Sequence, residues 1–188
     1  MSQPAPNTEE VVNLVNALGK KWDKPTSFEL ARLDNEIKKL QNSDITAAEC
    51  FRGMYYALQN DLENACKWFN AAIQREPSNP YTYMNYSSGL LHMGHGTEAL
   101  AMSLESIKKG LEIPKQIDNL LYCAYQTDNR ALIDEWLPKY KALTGKDHEV
   151  SIFLEEDAED EAMLPELIAQ AHNEEPIPWS QVKRELGL

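Results

Sequence analysis

The sequence predicts an all-α protein: a right-handed stack of antiparallel helix pairs carrying an acidic C-terminal extension. Three observations predict it. Apolar residues recur at helical spacing through residues 8–144, and no strand alternation precedes His148. A 34-residue unit repeats, with decay, through the centre of the chain. The net charge of −12 is also unevenly spread. Residues 1–146 hold 16 basic and 18 acidic side chains, whereas residues 147–188 hold 2 basic and 12 acidic ones. That contrast separates a helical domain, 1–146, from an extension, 147–188.

Val11, Val12, Leu14, Val15 and Leu18 stripe the first predicted helix. Phe28, Leu30, Ala31, Ile37 and Leu40 stripe the second, which opens at Thr26 or Ser27 as N-cap, with Pro25 suiting the preceding turn. Counting from Thr46, the best unit places Gly53, Tyr56, Ala65, Phe69, Ala72 and Pro77 at positions 8, 11, 20, 24, 27 and 32. Small residues at positions 8 and 20 let two antiparallel helices approach closely. The aromatic at position 24 fills the wedge to the next pair, and the proline ends the second helix. In the second unit Ser87 takes position 8, Gly94 the turn, Ala99 position 20, and Ser103 replaces the aromatic. The third unit, from Pro114, keeps Leu120 and Ala124, turns at Thr127-Asp128-Asn129, puts Ile133 at position 20, and adds Trp136 and Tyr140 as bulk. Leu18-Gly19 and Ala31 fall at positions 7, 8 and 20 of an earlier unit.

These positions resemble the tetratricopeptide repeat, over roughly residues 12 to 145. The resemblance implies a concave face lined by the first helix of each pair, at family positions 2, 5, 9, 12 and 13. They are Ala47, Cys50, Met54, Ala57 and Leu58, then Tyr81, Met84, Ser88, Leu91 and His92, then Lys115, Asp118, Tyr122, Tyr125 and Gln126. Met54, Leu58, Tyr81, Met84, His92, Tyr122 and Tyr125 would make an apolar, aromatic groove suited to an apolar peptide or amphipathic helix. The same residues could instead be core, or be covered by the chain's own tail. Some family members grip a C-terminal carboxylate with lysine and asparagine at positions 5 and 9, where this chain has Cys50 and Met54. Only Lys115 and Asn119 resemble part of that clamp.

After Gly145 the pattern changes. His148 to Leu154 alternates in part, which suits a short strand but leaves a helix open. An acidic run from Glu155 to Glu161 follows, then Met163, Leu164, Leu167, Ile168 and Ala171 at the spacing of a helix ending near His172-Asn173. The closing segment, Pro178-Trp179-Ser180-Gln181-Val182-Lys183-Arg184-Glu185-Leu186-Gly187-Leu188, is similar to the C-terminal ends of bacterial type II antitoxins. In those proteins a short apolar-acidic strand and helix wrap a small basic toxin. The resemblance implies that Ile152, Phe153, Leu154, Leu164, Ile168, Trp179, Val182 and Leu186 would meet such a partner. The DNA-binding half usual in that family is replaced here by helical repeats. A plainer reading makes the segment a solvated acidic helix followed by a cap on the repeat stack.

The remaining signals exclude more than they assign. No glycine-rich phosphate loop or GxSxG elbow occurs, and nothing links the serine, histidine and aspartate residues, so no enzyme is expected. The carboxylates at 155–161 lack the glycine and downstream glutamate of a calcium loop, and His92 and His95 flank a turn, so neither metal nor cofactor is expected. Cys50, Cys66 and Cys123 are an odd count within predicted helices and read as small thiols of a reducing cytoplasm. The start, Met1 to Pro6, lacks signal-peptide order, and no apolar run is long enough to span a membrane. The acidic tail disfavours nucleic acid and favours a basic or amphipathic protein partner. Exposed helix-pair edges leave homo-oligomers open.

Overall fold

The structure, a computed structural model, describes residues 8–20 and 24–173. Among them run nine α-helices: α1 (Thr8–Gly19), α2 (Ser27–Leu40), α3 (Ile45–Ala57), α4 (Leu62–Arg75), α5 (Pro80–His92), α6 (Gly96–Lys108), α7 (Pro114–Gln126), α8 (Arg130–Thr144) and α9 (Glu149–Asn173). The described residues contain no strand. The chain is all-α, and helices adjacent in sequence pack on one another from α1 to α8 as a stack of pairs. The described residues divide into two compact units between His148 and Glu149.

The period is clearest in the turns. Asn60, Gly94 and Asp128 each take a left-handed conformation, at φ of 59°, 81° and 50°. They stand 34 residues apart, and glycine, asparagine and aspartate tolerate this region best. The next residue in each turn donates its N–H to a carbonyl five residues back: Asp61 to Tyr56, His95 to Leu90, and Asn129 to Ala124. Asp61 and Asn129 then cap α4 and α8, accepting from Asn64 and Leu132 backbone N–H groups. Pro80 and Pro114 open α5 and α7 with the same spacing, at the helical position where a missing N–H costs least. The third unit therefore keeps the repeat in its turn and caps, where its core positions have drifted.

The core shows what the small residues do. Phe69 is fully buried and stacks on Tyr86, with ring centroids 4.6 Å apart. A Cβ added at Gly53 would lie 2.8 Å from three carbons of the Phe69 ring, and one at Gly89 3.0 Å from it. In the second unit a buried polar pair occupies the position of the lost aromatic. Gln116 Nε2 donates to the Ser103 carbonyl at 2.9 Å and to Ser103 Oγ at 2.7 Å, and both side chains are fully buried. Ser87, standing where glycine does in the first unit, donates from Oγ to the Ala99 carbonyl at 2.9 Å.

One expectation needs correction and one open choice is decided. In α2 the buried stripe is Leu33, Ile37 and Leu40, whereas Phe28 is 80% exposed and Ala31 is also exposed. The core positions of α2 thus run 32 residues ahead of Ala65, Phe69 and Ala72 in α4, not 34. Thr26 anchors this register through a capping box, in which its Oγ1 accepts from Glu29 N–H and its own N–H reaches Glu29 Oε2 at 2.9 Å. The second concerns residues 148–154, where of the two open forms, strand and helix, the structure has the helix: α9 begins at Glu149. The run has only two β-branched residues, Val150 and Ile152, and is followed by leucine, alanine and glutamate, all strong helix formers. Extending an existing helix costs far less than nucleating a separate element. No helix among the described residues is long and apolar enough to cross a membrane.

Candidate protein-binding face

The first helices of the repeats, α3, α5 and α7, pack in succession. Their residues at the expected groove positions divide sharply. Cys50 and Met54 on α3, and Leu58 at its C-cap, are only 3%, 8% and 5% exposed. They belong to the same buried cluster as Val11, Val15 and Leu18 of α1, so they are core and line no open surface. Helix α1 packs on α3 as well as on α2, and this closes the α3 end. Burial pushes the Cys50 thiol up to about 12, while Asn85 Nδ2 donates to its sulfur at 3.4 Å.

The α5 and α7 positions are less buried. Tyr81 is 50% exposed and His92 is exposed, while Met84, Tyr122 and Tyr125 are half-buried. Asn79 fixes the start of this face by accepting the Tyr81 N–H at 3.1 Å. Asn119 joins the two helices, donating from Nδ2 to Ser88 Oγ at 2.5 Å and to the Met84 carbonyl at 3.4 Å. The face is thus apolar and aromatic on a rigid, cross-linked support.

A charged cluster adjoins it on α7. Asp118 meets Lys115 Nζ at 3.0 Å and His148 Nε2 at 3.1 Å. His148 is 4% exposed and its ring sits edge-on to Tyr122 and Tyr140, with centroids 5.0 Å and 4.7 Å away. Burial would raise the Asp118 carboxyl, but the His148 hydrogen bond and the Lys115 charge outweigh it and hold the carboxyl below its ordinary value. Lys115 and Asn119, the two residues resembling part of a carboxylate clamp, are thus already engaged, with Asp118 and with α5. The partial alternation around His148 gives no hint of this contact. The pairing with Asp118 spans 30 residues and left no local signal.

Two surface clefts lie elsewhere. One, of about 430 Å³, is lined by Glu9, Glu10, Asn13, Leu14 and Arg32. The other, of about 280 Å³, includes Asp34, Arg52, Tyr56 and Trp68. Their guanidinium groups are already paired, Arg32 with Glu10 at 3.4 Å and Arg52 with Asp34.

In the second unit, Ile152, Leu164 and Ile168 of α9 are exposed, and Phe153 and Leu154 are half-buried. Trp179, Val182 and Leu186 lie outside the described residues. No protein-family model matches the chain, and no curated protein matches it.

Proposed function

We propose that the protein is a non-enzymatic protein-binding module of the tetratricopeptide type, which receives an apolar peptide or amphipathic helix on the α5–α7 face. The observation that supports this reading is the split within the groove positions: Cys50, Met54 and Leu58 are sealed into the core, while Tyr81 is 50% exposed and Met84 is half-buried beside it on α5. Tyrosine and methionine contribute large contact area at modest ordering cost, and exposed apolar groups gathered on one face mark interaction sites. The antitoxin likeness rests on residues 178–188, outside the described part of the chain, and adds no support here.

The test is site-specific photo-cross-linking in the native cell. A benzophenone amino acid replaces Tyr81 on α5 in one chain and Ala101, exposed on α6, in another. The proposal expects a discrete protein adduct from position 81 and none from position 101. Equal adducts at both positions, or none at either, would refute it.

A further inference from the structure

Helix α9 has an unusual pattern: it is amphipathic along its length and not across it. It holds eight carboxylates and no lysine or arginine. Steps of three and four residues keep side chains on one face of a helix. Ile152, Glu156, Asp160, Met163 and Leu167 follow such steps and form one row, and all five are exposed. Along the helix the row reads apolar, acidic, acidic, apolar, apolar. The neighbouring row through Glu161 and Leu164 has the same order. Ile152, Met163, Leu164 and Leu167 are 53%, 52%, 53% and 55% exposed, high values for large apolar side chains.

We propose that this face of α9 is a second docking surface, distinct from the α5–α7 face, for a basic amphipathic helix of a protein partner. The partner helix carries lysine or arginine on two successive central turns, with apolar residues beyond them at the end that meets Met163 and Leu167. Sign decides the class. Nucleic acid and anionic lipid carry the same charge as α9 and are repelled, while a cationic helix is attracted and steered. Magnitude divides the labour. Exposed ion pairs contribute little each, so the apolar rows supply most of the affinity, and the carboxylate block fixes register and speeds encounter. The block also repels itself at spacings such as Glu156 to Asp160, and a cationic partner relieves that repulsion.

The probe is a fluorescein-labelled synthetic helix of about 17 residues, long enough to match the ~24 Å from Ile152 to Ile168. It carries lysines on two central turns of one face and leucines beyond them; a second peptide has the same composition in scrambled order. Anisotropy titrations use the full chain at ~0.15 M ionic strength. The proposal expects the ordered probe to bind at least about tenfold more tightly than the scrambled one. Met163→Ser with Leu167→Ser should lose about tenfold of that affinity with the charge unchanged. Glu156→Gln with Asp160→Asn should slow association and flatten the salt dependence. All four positions are exposed, and circular dichroism checks that each variant keeps its helices. Equal affinity for both peptides, or no effect of the serine variant, overturns the proposal in favour of simple charge attraction. A Tyr81→Ser, Met84→Gln chain should bind the probe as the unchanged protein does. Loss of binding in that chain would place the probe on the α5–α7 face and overturn the proposal.

Discussion

Replacing Gly53 by alanine sets two opposite effects against each other. Gly53 lies inside α3, so generic helix propensity favours alanine there by about 1 kcal/mol. The added methyl, however, would stand 2.8 Å from three carbons of the Phe69 ring. The ring has little room to retreat. It is 0% exposed, stacked on Tyr86 on one side, and faces Gly89, whose own added Cβ would be 3.0 Å away. Overpacking a filled core costs roughly 1–3 kcal/mol, more than the propensity gain over most of that range. The expected net loss is about 1 kcal/mol, the middle of a range of roughly 0–2, with a fall in melting temperature of ~2–4 °C for a chain of this size. The assay is thermal and urea unfolding of Gly53→Ala beside Gly19→Ala, where no atom lies within 4 Å of the added Cβ. A double variant, Gly53→Ala with Phe69→Leu, completes the cycle. The smaller side chain should recover part of the loss, so the two changes cost less together than their sum. A Gly53→Ala protein more stable than its parent would refute the reasoning, because the close approach would then carry no energetic weight.

Other consequences are open to simple assays. At pH 8 in the native protein, a thiol reagent should modify half-buried Cys66 first; Cys50 and Cys123 are buried, with thiols raised to about 12 and about 11, and should react only on unfolding. Asp118→Asn should cost about 1 kcal/mol at neutral pH, since it weakens a charged hydrogen bond but leaves an acceptor. Because the folded Asp118 carboxyl is held below its ordinary 3.8, its contribution is present above that pH and fades as pH falls through the folded value. Unfolding curves of parent and Asp118→Asn should therefore converge in acid, and a gap that widens instead would contradict the sign. Pro165, inside α9, has no N–H for the carbonyl four residues back, so Pro165→Ala should raise amide-exchange protection around residues 162–168.

The repeat was legible because its chemistry is local. Gly53, Ala65 and Phe69 announce close helix packing by size alone, and Asn60, Gly94 and Asp128 announce left-handed turns by residue type. The first pair was misread because Ala31 fits a 34-residue count, while Thr26 and Glu29 set the true register through hydrogen bonds that period counting ignores. The groove was half legible. Family positions put Met54 on the first helix and Leu58 at its C-cap, but whether such residues face solvent depends on where α1 packs, a long-range fact. The replacement of an aromatic by the buried Ser103–Gln116 pair, and the His148–Asp118 contact, join residues 13 and 30 apart in sequence. Each of these residues reads as ordinary polar surface until its partner is known.

The proposed function places the binding energy on the α5–α7 face. The most direct measurement is the affinity of the partner recovered by cross-linking for two purified full-length proteins, the parent and the Tyr81→Ser, Met84→Gln variant. The account predicts binding at least ~10-fold weaker to the variant, with helix content and melting unchanged. Equal affinity for the two proteins would contradict it.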